Sequence, residues 1–422
     1  MTEQLLQFIW QFQYYSKSNL ILSKGEAIQI IHPGIHNTNQ GPDFLNARVK
    51  IANTILAGSI EIHINASEWQ LHKHSSDSNY NNVILHVVWL NDKDLDVDIP
   101  TLELKNSVSS LLLNKYEKLM TNRNFIPCED QIDTVNDFTF TAWKERLMVE
   151  RLQEKSTIIS EKLKKYSNHW EEIFWQLLAK NFGIKINSDA FESMAVSVPL
   201  SILAKHKNQL HQLEAILMGQ CGLLNKNFSD DYAVMLQKEY RFLQKKYNLQ
   251  LTHIPSYFLR MRPANFPTIR LSQLAVLIHN SSHLFSIIKE ATDLKNVEKL
   301  FAVTANDYWH YHYVFDEDTG FKKKTIGKQM VQNIIVNTVL PFLYSYGWYN
   351  NIEHYKEKAL LWATELLPEQ NVITKGFTEL GIKNKSAYDS QALIQLKNKY
   401  CNNKNCLDCA VGNSILKKDA VV

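Results

Sequence analysis

Two neighbouring stretches of alternating apolar and polar residues limit the folds that the first part of the chain can adopt. In FLNARVKI (44–51) and SIEIHIN (59–65), every second side chain is apolar. A period of two is typical of a β-strand with one face in the core. The continuous apolar run NVILHVVWL (82–90) indicates a third strand that is covered on both faces. The sequence therefore predicts a β-sheet near the N-terminus.

The segments around these strands predict a small α/β unit followed by a long helical region. Residues 1–15 repeat apolar side chains at helical spacing, while 19–31 and 101–105 have the pattern of further strands. Helices are expected at 139–166, 168–181, 207–218, 230–246, 271–290, 327–345, 352–367 and 387–399. The predicted fold class is α+β, with an α/β domain over residues 1–110 and a large, mostly α-helical domain over 111–422 that ends in a cysteine cluster.

Composition restricts the function classes without selecting one. Of 422 residues, 45% are hydrophobic and 21% are charged, and the net charge of +3 neither predicts nor excludes nucleic-acid binding. The first residues lack the features of a signal peptide. The longest apolar stretch, 334–348, is interrupted by Asn337 and Pro341 and is too short to span a bilayer. We therefore expect a cytoplasmic protein without membrane contact, whose five cysteines do not form structural disulfides.

Two carboxylates occupy positions that suit a metal ion. Asp43 follows a Gly-Pro turn at the start of one predicted strand, and Glu61 and His63 share one face of the next. Mg²⁺ and Mn²⁺ prefer carboxylate oxygens, and a polar group nearby can orient an attacking water. In this hypothesis Asp43 and Glu61 bind the ion and His63 orients the water. The alternative is an ordinary turn at Asp43, with Glu61 and His63 facing solvent.

The stretches PD (42–43) and EIH (61–63), with the order of helix and strands around them, resemble the PD-(D/E)XK nuclease superfamily. The resemblance implies a mixed sheet and metal-dependent cleavage of phosphodiester bonds in DNA or RNA. The superfamily pattern has lysine at the position of His63. A histidine can donate a hydrogen bond or act as a base, but it lacks the constant charge of lysine. A degenerate relative that binds nucleic acid or a protein without catalysis is therefore the alternative.

Three more histidines follow the carboxylates closely. His86 lies in the middle of the apolar strand, where a buried imidazole requires a hydrogen-bond partner. One interpretation places His86, and with it His72, beside Glu61 and His63 as auxiliary metal ligands or phosphate contacts. A zinc-dependent hydrolase that uses these histidines is a second alternative function. The other interpretation leaves His86 in the core and His72 and His74 in a surface loop.

The end of the chain has the spacing of a metal-binding motif. Cys401, Cys406 and Cys409 form a C-x4-C-x2-C pattern, and three cysteines so close together point to a metal. Cys128 is the candidate fourth ligand of a zinc ion or an iron–sulfur cluster, since both commonly take four thiolates. Cys221, flanked by small and apolar residues, is expected in the core. The alternative is three free thiols near a C-terminus.

The segment 257–275 contains three arginines among aromatic residues and prolines. Arg260, Arg262 and Arg270 are candidate contacts to a nucleic-acid backbone. Alternatively, such arginines anchor a loop by donating hydrogen bonds to carbonyl oxygens.

Over nearly its full length, the chain also resembles a bacterial family of proteins of unknown function, numbered 2851. The shared features are GPDF, EIH, WQLHKH, LHVVW, RMRPANFPTIRLSQLA and the cysteine-rich end. The resemblance implies a bacterial, intracellular protein and supplies no activity.

Overall fold

The computed structural model describes residues 1–95, 98–251, 254–281 and 283–418. It divides into two compact units, and neither is continuous in sequence. The first unit comprises the described residues of Met1–Arg146, Lys375–Ile382 and Leu393–Val422, and the second comprises Leu147–Thr374 and Lys383–Ala392. The sheet and the C-terminal cysteines thus belong to the same unit, whereas the helical pattern alone suggested a division at residue 110.

The first unit is built on a six-stranded mixed sheet. Its strands are β1 (Ile28–His32), β2 (Ile35–His36), β3 (Phe44–Ile51), β4 (Thr54–Asn65), β5 (Val83–Leu90) and β6 (Thr101–Glu103). The order across the sheet is β1-β3-β4-β5-β6, and β2 also pairs with β3. The pairs β1–β3 and β3–β4 are antiparallel, while β4–β5 and β5–β6 are parallel. The mixed sheet followed by a mostly helical region confirms the predicted α+β fold class.

Strand β4 is the centre of this sheet and is buried on both faces over residues 58–63. Ile60 and Ile62 are fully buried, as their alternation predicts. Glu61 and His63 are buried as well, with exposed fractions of only 6% and 1%. A Cβ atom at Gly58 would lie 2.5 Å from the carbonyl oxygen of Asn82, so glycine permits the close approach of the segment that leads into β5. The polar face of β4 is therefore covered and does not face solvent.

Four helices complete the described N-terminal part of the first unit. They are α1 (Glu3–Gln11), α2 (Glu68–Leu71), α3 (Ser110–Thr121) and the beginning of α4 (Asp137–Lys165), within which the boundary between the units falls. Helix α1 begins where the Thr2 hydroxyl accepts a hydrogen bond from the Leu5 N–H. It packs against β4 and buries most of its apolar side chains. The short helix α2 lies in the parallel crossover from β4 to β5.

The remaining described helices include all those expected after 139–166 and six that the sequence did not predict. They are α5 (Trp170–Phe182), α6 (Ile184–Ser197), α7 (Leu200–His206), α8 (Leu210–Gln220), α9 (Asp231–Tyr247), α10 (Pro267–Asn280), α11 (Leu284–Glu290), α12 (Leu294–Phe301), α13 (Tyr308–Tyr311), α14 (Lys328–Ile334), α15 (Leu340–Tyr349), α16 (Glu353–Glu365), α17 (Val372–Glu379), α18 (Ala387–Gln395) and α19 (Ala410–Lys417). The helix expected at 271–290 is divided into α10 and α11, and π-helical turns follow α14 and α18. Among the described helices, none is both long and apolar enough to pass through a bilayer.

Candidate metal centre

The structure brings Asp43 and Glu61 side by side through the antiparallel pairing of β3 with β4. Asp43 immediately precedes β3, and its backbone N–H donates a 3.1 Å hydrogen bond to Glu61 Oε2. The Ile62 N–H in turn donates to Asp43 Oδ2 at 3.0 Å. From α1, Gln7 Nε2 donates to Asp43 Oδ1 at 3.0 Å. Backbone and side-chain hydrogen-bond donors thus hold both carboxylates in place beside the central strand β4.

His63 links this carboxylate pair to two further histidines. His63 Nδ1 lies 2.9 Å from His86 Nε2 on the parallel strand β5, where Glu61 is directly opposite His86. On its other side, His63 Nε2 lies 3.2 Å from His72 Nδ1. His86 is fully buried, and His72 is exposed. Strand β5 therefore holds one imidazole beside His63, and the segment that follows α2 holds another.

A turn after α2 brings His74 to the same point. Lys73 between the two histidines has φ 57° and ψ 33°, a left-handed conformation that is uncommon outside glycine. The turn leaves the rings of His72 and His74 only 5.4 Å apart. Trp69 is buried beneath it, donates from Nε1 to Ser75 Oγ at 3.0 Å, and lies against His74. Backbone strain of this kind often marks a functional site.

The donor atoms have the spacing of ligands around a single ion. Among the described residues, His63, His72 and His74 are the group whose ligand atoms all lie within 4.8 Å of one another. Glu61 Oε1 is 3.4 Å from His74 Nε2 and 3.6 Å from His63 Nε2. Ligands about 2.0–2.1 Å from a tetrahedral zinc ion are about 3.3–3.4 Å from each other. The three imidazoles thus fit three positions of a tetrahedral centre and leave the fourth open to water, with the Glu61 carboxylate beside them.

The electrostatics of the site favour a bound cation. Burial raises the pKa of Glu61 to about 8, with a further contribution from Asp43, and burial likewise raises the pKa of Asp43 to about 6. Burial and the neighbouring imidazoles lower the pKa of His63 to about 3 and that of His86 to about 4. Near neutral pH the His63 imidazole is therefore uncharged and able to act as a ligand. A divalent cation would stabilise the carboxylates that burial disfavours.

An unpartnered nitrogen gives independent support for a metal. His74 Nε2 is buried and has no hydrogen-bond partner among the described residues, although it faces Glu61 Oε1 at 3.4 Å. A buried polar atom of this kind is costly unless a ligand satisfies it. Imidazole nitrogens suit zinc and other transition metals, whereas magnesium prefers an all-oxygen site. The donor set therefore fits a zinc-like ion better than magnesium.

Glu61 is expected to contribute less to the stability of metal-free protein as the pH rises from about 6.5 to about 8. The pKa of Glu61 is raised from its ordinary 4.5 to about 8, so the folded state holds a proton that the unfolded chain releases. This contribution is full below pH 4.5 and is lost as the pH rises through 8. The lowered pKa of His63 opposes it only below its ordinary 6.5. Melting temperatures of the wild type and Glu61→Gln in a chelator would isolate this contribution, since the lowered pKa of Lys155, about 7, makes stability rise above that pH in both proteins. Parallel profiles of the two proteins would contradict the buried carboxyl.

Two parts of this centre were not identified from the sequence. Glu3 and Gln7 on α1 both act on the carboxylates. Gln7 donates a hydrogen bond to Asp43, and the charge of Glu3 raises the pKa of both Asp43 and Glu61. Their spacing of four residues on one helical face was the available signal. His74 was assigned only to a surface loop, because no regular zinc spacing includes it. Its burial depends on the Lys73 turn, which the sequence does not reveal.

The other predicted site residues lie in separate places. Cys128 and the three C-terminal cysteines are in the first unit, and Cys221 is buried in the second. Arg270, also in the second unit, is 6% exposed and donates to Gln273 Oε1 at 2.9 Å and to Asn265. It therefore anchors the start of α10 and is not available to a nucleic-acid backbone. The remaining two arginines, Arg260 and Arg262, are exposed.

Comparison with known proteins yields a family and no activity. The model of the family described as "Protein of unknown function (DUF2851)" matches residues 3–372 of the 422. No curated protein and no solved structure matches the chain.

Proposed function

The chain belongs to the family of proteins of unknown function DUF2851, and from the chemistry of its site we propose that it is a metal-dependent hydrolase of nucleic-acid phosphodiester bonds. The observation that carries the proposal is the convergence of donor atoms from His63, His72 and His74 beside the Glu61 and Asp43 carboxylates. The His63–His72 separation of 3.2 Å and the 3.4 and 3.6 Å separations from Glu61 to His74 and His63 are close to those around a tetrahedral ion, with zinc as the leading choice.

The order of structural elements supports a phosphodiester substrate. Helix α1 is followed by antiparallel strands β1, β3 and β4, and then by β5 parallel to β4. Asp43 precedes β3 and Glu61 lies on β4, so the acidic pair occupies two adjacent strands. This arrangement is similar to that of the PD-(D/E)XK nucleases, on which the choice of substrate rests.

Each residue of the site has a defined role in this proposal. A bound zinc ion would polarise a phosphoryl oxygen and lower the pKa of an attacking water. His63, with Nε2 turned to the site, would donate its Nδ1–H to His86 Nε2, which fixes the orientation of its ring. Asp43, whose pKa is about 6, is suited to accept the proton of the water near neutral pH. Gln7 and the Ile62 N–H hold that carboxylate in place.

Zinc is expected to bind the full-length protein at least about 100-fold more tightly than magnesium, because imidazoles form most of the site. Calorimetric titration with each metal would measure this ratio, and zinc-loaded protein should cleave single- or double-stranded DNA or RNA. His72→Ala should weaken zinc binding without loss of fold, since the His72 side chain is exposed. His36→Ala is the matched control, because His36 is an exposed histidine on β2 of the same unit.

Other results would select among the competing functions. Cleavage that requires magnesium or manganese and survives His72→Ala would favour an ion held by Asp43 and Glu61 alone. Zinc binding without cleavage of any nucleic acid would favour a binding module on a nuclease-like fold. Failure to bind either metal would overturn the proposed function.

A further inference from the structure

Four of the five cysteines belong to one compact unit although they come from distant parts of the sequence. Cys401 ends a π-helical turn, and Cys409 precedes the first residue of α19. Cys128 precedes a 3₁₀ turn at Glu129–Thr134, against which α19 packs. Cys128, Cys406 and Cys409 are buried, and Cys401 is partly buried. The fold thus brings the thiols of residue 128 and of the C-terminal motif to one region.

Packing brings the four cysteines near one another, since α19 contacts both α3 and the Glu129–Thr134 turn, and Lys404 Nζ donates a hydrogen bond to the Met120 carbonyl oxygen on α3. Burial raises the pKa of Cys128 to about 12, and Cys409 and Cys406 raise it further. Burial also raises the pKa of Cys401, and the other three cysteines all contribute. Interactions of this kind weaken with distance, so the four side chains share one local site. All four are free thiols, and no disulfide joins them.

The sulfur of Cys409 is surrounded by hydrogen-bond donors. Burial raises the pKa of this thiol, while the backbone N–H groups of Gly412 and Val411 lower it. The buried indole N–H of Trp143 has no oxygen or nitrogen acceptor among the described residues, and it lies close enough to Cys409 to lower the same pKa. A neutral thiol is a weak acceptor, so three donors around one sulfur favour a thiolate.

Gly412 allows the backbone to fold back closely over the cysteine motif at residues 401–409. A side chain at Gly412 would collide with the backbone carbonyl of Cys406, so only glycine allows the chain to fold back over that residue. Burial raises the pKa of Cys406 to about 12 and also raises that of Cys401, while the nearby charges of Lys404 and Lys397 partly oppose the rise. The loop therefore supplies both N–H donors and positive charge, which is what a group of thiolates requires.

We propose that Cys128, Cys401, Cys406 and Cys409 bind an iron–sulfur cluster. Ligands of one zinc ion, with Zn–S bonds of about 2.3 Å, would hold their sulfurs about 3.8 Å apart. In the described part of the chain, these cysteines do not form a group whose ligand atoms all lie within 4.8 Å of one another. A cluster distributes its four thiolates over two or four iron atoms and therefore accommodates a wider arrangement. The cluster would join α19 to the turn after Cys128 within the first unit.

Full-length protein purified without oxygen should contain iron and acid-labile sulfide in similar amounts and absorb visible light. Cys401→Ser, at the least buried ligand, and Cys128→Ser should each lower bound iron at least about tenfold. Cys221→Ser should leave the iron content unchanged, because Cys221 is a buried cysteine of the other unit. Circular dichroism would show whether each variant retains its helices.

Reconstitution of wild-type protein with ferrous iron and sulfide provides a test that does not depend on the folding of a variant. It should restore the visible absorption, and reduction should produce the electron paramagnetic signal of a cluster. Stoichiometric zinc that is lost in the cysteine variants would overturn the assignment of a cluster. Failure of the wild type to incorporate iron and sulfide after reconstitution would overturn the site.

Discussion

Replacement of Glu61 by Gln is expected to abolish metal-dependent cleavage and to weaken zinc binding by about 10- to 100-fold, the usual cost of losing an outer-shell partner of a metal site. The amide keeps an oxygen that can accept the 3.1 Å hydrogen bond from the Asp43 N–H, so the strand pairing should survive. The substitution removes the negative charge of Glu61. Burial disfavours this charge in the metal-free protein, and a bound cation would stabilise it. Calorimetry and a cleavage assay on the same preparation would measure both effects.

Glu103→Gln is the matched control for this substitution. Glu103 lies on β6 of the same sheet and accepts a hydrogen bond from the Asn91 N–H at 2.9 Å, which a glutamine oxygen can also accept. Cleavage and zinc affinity should both remain at the wild-type level in this variant. Equal losses in Glu103→Gln and Glu61→Gln would mean that the effect comes from the sheet and not from a ligand.

Asp43→Asn distinguishes between two roles that Asp43 can have, a proton acceptor or a metal ligand. If Asp43 accepts the proton of the attacking water, this variant should lose most of its cleavage rate while it keeps zinc affinity within a few-fold of the wild type. If Asp43 binds the ion directly, both quantities should fall together. Cleavage that persists in the double variant Asp43→Asn with Glu61→Gln would place the reaction at another site.

Replacement of His63 by Lys should abolish zinc binding and cleavage, although lysine is the residue of the PD-(D/E)XK pattern. The pKa of His63 is about 3, so its imidazole is neutral near pH 7 and does not replace the charge of a lysine. Instead its Nε2 lies among the donor atoms of His72 and Glu61, where an ammonium group would repel the ion. We expect a loss of at least about 100-fold in zinc affinity, as for any direct ligand.

His36→Lys controls for the introduction of a lysine in the same unit, because His36 is exposed on β2. It should leave zinc binding and cleavage unchanged.

The opposite outcome for His63→Lys is informative as well. If His63→Lys cleaves nucleic acid with magnesium as well as or better than the wild type, then His63 acts as the counterpart of lysine and the imidazole centre is wrong.

The first unit shows how far short-range patterns predict a fold. The alternation in 44–51 and 59–65 predicted two strands, because a side chain in a strand points opposite to its neighbours. It did not predict every face, since Leu45 is exposed and Glu61 and His63 are buried. Asp43 and Glu61 could be predicted as neighbours, since adjacent strands of a hairpin bring such positions together. Most long helices followed from apolar spacing in the same way, although α3 and α6 were not predicted.

Local patterns were enough to predict the main strands, most long helices and the acidic pair, whereas packing between distant segments fixes the surroundings of that pair. His74 enters the site only through the left-handed turn at Lys73 and the packing of Trp69, and neither depends on a periodic pattern. Glu61 and His63 alternate like residues that face water, yet packing buries them and shifts their pKa values. The placement of Cys128 in the same unit as the C-terminal cysteines likewise depends on how α19 packs, because a contact between distant segments leaves no local signal in the chain.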